Sequence, residues 1–452
     1  MVKVGMVSLG CPKNLVDSEV MLGTLSAEGY ALTPDPAEAD VIVVNTCTFI
    51  EPARRESIDT ILDMAEFKRT GRCRRLVVAG CMVQRHGEEL RRSIPEIDAL
   101  VRLDDVERIA EAVTLSAGAR FESDRSRARY LYSHESPRRL ATPGHLAYLK
   151  VSEGCDHSCS FCAIPSFRGA QRSRPIGSIV EEATRLARAG VVELNLIAQD
   201  TTDYGSDRDD GASAARLLRA LDRVEGLRWI RVLYAYPNGV TPEFIDALAS
   251  CGRVARYIDL PLQHADPAIL RAMRRGGGGS GHLRLIERLR ARVPGISIRC
   301  TFIVGFPGET EARFRALCGF VEQARLDHVG VFTYSAEKGT PAALLPDDIP
   351  AEVKEERRAR LMAIQERVAA RRNRDLVGRS VEVLVDGTHE ESDWLLCGRT
   401  EGQAPEIDGR VILTDAPRPL RAGEFVRVRI DEAHPFDLVG AAVGAETVGP
   451  RP

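Results

Sequence analysis

Short apolar runs alternate with amphipathic helical stretches along most of this chain, and that alternation limits the fold more than any other feature. It occurs three times in residues 1–115. Val2–Leu9 reads as a strand followed by a helix from Asp17 to Glu28. Asp40–Asn45 precedes a helix over Ala53–Phe67, and Arg75–Ala79 precedes one ending at Leu90. Such repetition with short loops predicts an open parallel sheet covered by helices. A second series begins at His145. Its strands are Ala147–Ser152, Val191–Ile197, Trp229–Leu233, Tyr257–Leu260, Ser297–Val304 and Val329–Tyr334, with helices such as Ser178–Ala189 and Thr310–Ala324 between them. Six β/α units in a row predict a partial or full β/α barrel. After a long charged helix, Ala351–Asp375, the segments Ser380–Asp386, Arg410–Thr414 and Glu424–Ile430 alternate apolar and polar residues, with glycine turns between. They predict a small all-β barrel.

The 452 residues therefore divide into an α/β domain at 1–115, an Arg/Ser-rich linker or interdomain arm at 116–140, a β/α barrel at 141–375, a β-module at 376–440 and a tail at 441–452. Arg274–Gly281 contains four consecutive glycines and reads as a flexible loop; the surrounding P-loop pattern is missing. No apolar run approaches the ~18 residues of a membrane helix. The start lacks the basic region and cleavage site of a signal peptide. A cytoplasmic location without a membrane partner is the expectation, and the eleven cysteines should be mostly reduced there. Charge is uneven. Residues 1–115 carry a net −5, residues 116–375 a net +8, and residues 376–440 a net −6 from 7 basic and 13 acidic side chains. Acidic ends suit a basic partner better than bare nucleic acid.

Six cysteines carry the chemistry. Cys155, Cys159 and Cys162 lie within eight residues, directly after the first strand of the second series, where β/α barrels keep their active sites. Thiolates at this spacing are the usual ligands of iron–sulfur clusters. Three of them leave one iron of a cubane open, and an open position marks a catalytic metal. A zinc site completed by His157 competes with this reading, but His157 sits inside the loop, where closing a tetrahedron would be strained. Inert buried thiols are the other alternative. Cys11, Cys47 and Cys81 each follow one of the three N-terminal strands. Strand ends of an open parallel sheet converge on a ligand crevice, so the three can share a second cluster, with Gly10 and Gly80 permitting close approach. Three unrelated half-buried cysteines are the alternative. Cys73, Cys251, Cys300, Cys318 and Cys397 show no grouping and read as packing residues.

Three tracts resemble the radical S-adenosylmethionine (SAM) methylthiotransferase family. One is Ser8-Leu9-Gly10-Cys11-Pro12-Lys13-Asn14, with Asn45-Thr46-Cys47 and Ala79-Gly80-Cys81. Another runs from Glu153-Gly154-Cys155 through Cys162 to Arg168-Gly169 and Ser173-Arg174-Pro175. The last is Phe302-Ile303-Val304-Gly305-Phe306-Pro307-Gly308-Glu309-Thr310. The resemblance covers nearly the whole chain and implies a C-terminal barrel of the TRAM type. It also implies two 4Fe–4S clusters: a radical cluster on Cys155, Cys159 and Cys162 that chelates SAM, and an auxiliary cluster on Cys11, Cys47 and Cys81 that presents the sulfur. Gln199-Asp200-Thr201-Thr202-Asp203-Tyr204-Gly205, Tyr148–Gly154 and Ile164–Gly169 resemble the protein-modifying branch, which acts on an aspartate of ribosomal protein S-twelve. The acidic C-terminal module suits a basic ribosomal protein as a docking surface, and an RNA-gripping module should be basic. The other branch modifies an adenosine of transfer RNA, and the +8 of the central domain leaves room for it.

The target implied is the β-carbon of aspartate, an unactivated sp³ centre, which calls for radical chemistry from a cofactor. The implied enzyme is a transferase that draws electrons from a donor such as flavodoxin or ferredoxin. Strand ends on the carboxyl face supply candidate SAM contacts: Phe161, Gln199, Asp200 and Arg299, the last as a partner for the SAM carboxylate. From another class, the cysteines also fit a non-catalytic iron–sulfur electron carrier or scaffold.

Overall fold

The computed structural model describes residues 1–114, 130–390, 392–416 and 418–443. The N-terminal part is a five-stranded parallel sheet in the order Ala31–Thr33, Lys3–Ser8, Val41–Thr46, Arg75–Gly80, Ala99–Val101. Val41–Thr46 and Arg75–Gly80 are buried at every position, as strands covered by helices on both faces must be. The two edge strands have three residues each, too few for a periodicity to register in sequence.

The central part is a sheet of six parallel strands in chain order: Leu146–Lys150, Glu193–Ile197, Trp229–Val232, Val254–Asp259, Ser297–Val304 and His328–Thr333. Helices return the chain between them, so the unit is an incomplete β/α barrel, as expected. Its core runs from Ala147 and Leu149 through Leu194, Ile230 and Ile258 to Phe302 and Val331. The C-terminal part is a closed barrel in the order Ser380–His389, Ser392–Thr400, Val411–Asp415, Leu438–Ala442, Phe425–Ala433. The strands Ser392–Thr400 and Leu438–Ala442 escaped the sequence reading.

Two expectations need correction. The glycine loop stops at Gly278: the Gly279 N–H bonds Ala265 O at 2.8 Å, and His282 N–H to Gly278 O at 2.9 Å closes the first turn of a helix over Gly279–Arg292. The expected linker or interdomain arm lies partly outside the described residues, as does most of the tail; residues 130–140 are a packed strap, an arm more than a loose linker. Arg138 reaches Glu19 of the N-terminal domain at 2.6 Å and Glu182 of the barrel at 2.6 Å. Tyr132 is buried beneath the Arg174 guanidinium, 4.2 Å from the ring centroid.

The acidic C-terminal module caps the amino ends of the barrel strands, opposite the cysteine loop. Glu193, the first residue of its strand, lies between Arg399 of the module at 2.7 Å and Arg231 at 3.0 Å. Arg228 pairs with Glu382 at 2.7 Å, and Tyr257 donates to Asp408 at 2.7 Å. Asp386 pairs with His145 at 3.1 Å. Three of the module's acidic side chains, Glu382, Asp386 and Asp408, thus meet the barrel across a seam. Tyr257→Phe removes one charge-assisted hydrogen bond from this seam. It is expected to lower stability by about 1.5–3 kcal/mol, checked by urea unfolding.

Candidate functional site

The three N-terminal strands that precede cysteines are adjacent and in register: Ser8 pairs with Asn45, and Asn45 with Ala79. Cys11, Cys47 and Cys81 therefore leave neighbouring strand ends together. Cys11 caps the helix Pro12–Ala27, and Cys81 begins the helix Cys81–Ser93. Gly10 has φ +89°, and a Cβ there would sit 2.9 Å from Cys47 Sγ. Gly80 has φ +97°, and its Cβ would strike Asn45 Oδ1 at 2.2 Å. Close approach is thus forced by the cysteine loops themselves. Asn14 ties them: its Nδ2 donates to Thr46 O at 2.8 Å and Leu9 O at 3.1 Å, and its Oδ1 accepts from Cys81 at 3.3 Å. Burial pushes Cys81 up to about 12 and raises Cys47. Burial also opposes the Cys11 thiolate, but Lys13 and Arg168 outweigh it and hold that thiol below its ordinary value.

Cys155, Cys159 and Cys162 occupy the loop after the first barrel strand, all half-buried. The loop is anchored at its centre. Ser160 donates from its backbone to Met273 O at 3.0 Å and from its hydroxyl to Ala272 O at 2.7 Å. Phe161 packs against Ile269, Met273, Phe306, Tyr334 and Ala342. His157 turns away from the cysteines. Its Nε2 meets Asp200 Oδ2 at 2.6 Å, and its ring stacks on Tyr236 with centroids 3.9 Å apart. That engagement removes the fourth ligand from the zinc alternative. Among the described residues, no three His, Cys, Asp or Glu side chains are grouped to hold a single metal ion. Arg275, from the glycine loop, lies over the Tyr236 ring at 4.1 Å and brings Nη1 to 3.6 Å from Cys159 Sγ.

The two cysteine sets meet at one interface. Cys81 packs with Ala163 and Phe167, immediately after Cys162. Arg168, at the end of the helix Ile164–Arg168, crosses to the other set. Its Nη2 donates to Cys81 Sγ at 3.0 Å and Asn14 Oδ1 at 2.9 Å, and its Nη1 donates to Glu153 Oε1 at 2.8 Å. Glu153 also meets Lys150 at 2.8 Å and accepts from Gln199 at 2.7 Å, while Lys150 pairs with Asp17. Asp17, Lys150, Glu153 and Arg168 line a small pocket together with Leu103, Tyr130 and Arg172. Burial would push the Glu153 carboxyl up, but Arg168 and Lys150 hold it well below the usual carboxylate range. On the far rim Glu337 accepts from Arg54 at 2.7 Å and Arg85 at 3.0 Å.

The four expected SAM contacts fare differently. Gln199 stands at the interface, and its buried Oε1 has no hydrogen-bond partner among the described residues, which suits a donor from a ligand. Phe161 is in the loop with its ring in the core. Asp200 is committed elsewhere: Oδ1 accepts from Thr202 N at 2.8 Å and Thr202 Oγ1 at 2.6 Å, and Oδ2 holds His157. It braces the cysteine loop. Arg299 lies between Asp259 at 3.4 Å and Asp408 of the C-terminal module at 3.3 Å, a structural cation. Asp200→Ala is therefore expected to lower the iron retained after reconstitution, with SAM affinity per loaded cluster unchanged; equilibrium dialysis with labelled SAM checks this. The sequence reading missed Arg168, Lys13, Tyr236 and Arg275. Arg168 and Lys13 lie inside the tracts quoted above, but a bond across 87 residues leaves no trace in local pattern.

The donor sets fit iron–sulfur clusters: three thiols on each side, close-packed glycines beside one set, and buried cations facing both. Residues 3–102 match the uncharacterized protein family UPF0004, residues 149–321 the radical SAM superfamily, and residues 377–443 the TRAM domain. The chain is 50% identical to the ribosomal protein uS12 methylthiotransferase RimO of Solibacter usitatus, over 99% of this chain and 96% of that one. It is 51% identical to the protein of that name from Symbiobacterium thermophilum, over 99% and 92%. Among solved structures, the radical SAM methyltransferase TsrM from Kitasatospora setae, with cobalamin and a [4Fe–4S] cluster bound, superposes with a TM-score of 0.56. It is 18% identical and covers 76% of this chain and 77% of its own; the likeness is one of fold.

Proposed function

Since the chain belongs to the family of ribosomal protein uS12 methylthiotransferases, we propose that it methylthiolates the β-carbon of an aspartate of uS12, as a radical SAM enzyme with two 4Fe–4S clusters. The observation that carries this reading is the meeting of the two cysteine sets across Arg168. A single radical-generating site needs only Cys155, Cys159 and Cys162. A second triad on the facing domain supports a sulfur source brought to the same substrate carbon.

When bound, SAM and the clusters supply the radical and the sulfur. The residues of the chain hold and shield them. Cys155, Cys159 and Cys162 would ligate the radical cluster, and Cys11, Cys47 and Cys81 the auxiliary one. The bond from Arg168 to Cys81 orients that thiolate and offsets its charge. Gln199, fixed by Glu153 and with its Oε1 unpartnered among the described residues, would help hold SAM, as would the backbone at Phe161. The side chains between the domains exclude water, which keeps a reactive centre from side reactions. No helix among the described residues is long and apolar enough to cross a membrane, in keeping with a cytoplasmic enzyme that draws on a reductant such as flavodoxin or ferredoxin.

Mass spectrometry of uS12 and of transfer RNA from a strain lacking this gene tests the reading. The expected result is uS12 without its methylthio group and transfer RNA unchanged. Unmodified RNA beside a normal uS12 would sink it.

A further inference from the structure

Lys13 is a buried cation whose charge favours the Cys11 thiolate but whose ammonium donates to no cysteine. It occupies the first turn of the helix Pro12–Ala27, two residues after Cys11. The positive end of a helix dipole disfavours a cation there, and burial disfavours one further. Only 7% of the residue is exposed. Its ammonium makes one hydrogen bond, to Ala198 O at 3.1 Å, and lies over the Tyr234 ring, 3.4 Å from the centroid. An ammonium has three donors. Among the described residues no carboxylate forms an ion pair with it, whereas the neighbouring buried cations Lys150 and Arg168 are paired with Asp17 and Glu153. Ala198 and Tyr234 follow the carboxyl ends of two adjacent barrel strands. Lys13 therefore stands between the auxiliary cysteines and the mouth of the barrel, with donors to spare. A residue kept against both local and burial preference points to a task beyond the fold.

We infer that Lys13 is the receptor for the side-chain carboxylate of the target aspartate, and so selects that residue. The inference rests on the reading of uS12 aspartate as the substrate. The carboxylate carbon is bonded directly to the β-carbon, so a charge-assisted hydrogen bond to it fixes the reacting atom one bond away. An asparagine offers no charge to the same ammonium, and a nucleobase offers no carboxylate.

The test uses reconstituted holoenzyme, wild type, Lys13→Met and Lys13→Arg, with purified uS12 and with uS12 carrying asparagine at the target position. Binding is measured by titration, and iron is counted on every sample. Wild type is expected to bind the aspartate form on the order of 10- to 100-fold tighter than the asparagine form. Per loaded auxiliary cluster, Lys13→Met should bind both alike, and Lys13→Arg should recover most of the preference. If Lys13 serves only to offset cluster charge, Lys13→Met will lose iron yet keep the preference, and the assignment falls. A wild type without preference overturns it as well. A wild type that leaves uS12 unmodified overturns the substrate reading and this inference together, whereas an active wild type with a discriminating Lys13→Met overturns the inference alone.

Discussion

Replacing Cys155, Cys159 and Cys162 with alanine is expected to abolish SAM cleavage and to lower the iron content from about eight atoms per chain to about four. The loop that carries these residues is anchored by Ser160 and Phe161, not by the cysteines, so the fold should persist. Replacing Cys11, Cys47 and Cys81 instead should also leave about four irons, but with the opposite consequence. 5′-Deoxyadenosine should still form, and no methylthio group should reach uS12. Iron counting and chromatography of 5′-deoxyadenosine distinguish the two variants. Eight irons retained in the first triple variant, or SAM cleavage persisting in it, would remove the cluster assignment. Loss of all iron in both would mean that the sites do not load independently.

Arg168→Met should have the largest effect on stability of any single change at the interface. Arg168 is buried, and its removal leaves Glu153 with Lys150 alone against the cost of burial. Breaking a buried pair in this way costs about 3–5 kcal/mol. The loss should appear as a lower midpoint in thermal unfolding and as poorer retention of the auxiliary cluster, because the bond to Cys81 goes with it. The pH dependence follows from the direction of the Glu153 shift. Its folded-state pKa lies below the unfolded value, so its stabilisation is fully present above the ordinary carboxylate range. It is lost as pH falls through that range towards the folded pKa. Wild type should therefore lose stability on acidification more steeply than Arg168→Met, whose Glu153 has lost its main cation. Parallel acid slopes in the two proteins would contradict this account.

The order of strands and helices was legible in the sequence because apolar periodicity is a local property. Ser297–Val304 was read to the residue, and the helix Ala351–Arg374 to within one. The placement of the six cysteines just after strands was legible because strand ends can be counted. What failed was charge and contact. The sequence could not show that Glu382, Asp386 and Asp408 of the acidic C-terminal module face Arg228, His145, Tyr257 and Arg299. Asp200 and Arg299 looked like cofactor ligands because both lie on barrel strands or their ends. Their partners, His157 and Asp408, lie 43 and 109 residues away in the chain, and only folding brings them together.

The sequence by itself determined the three-part architecture and the two triads of thiols, since both depend on the spacing of residues along one chain. Tertiary structure alone decided that Arg168 joins the two triads and that Lys13 is buried there with no carboxylate, among the described residues, at ion-pair distance. Electrostatic partnership is set by distance through space in a medium of low dielectric, where an ion pair or its absence weighs most, and sequence separation carries no information about it.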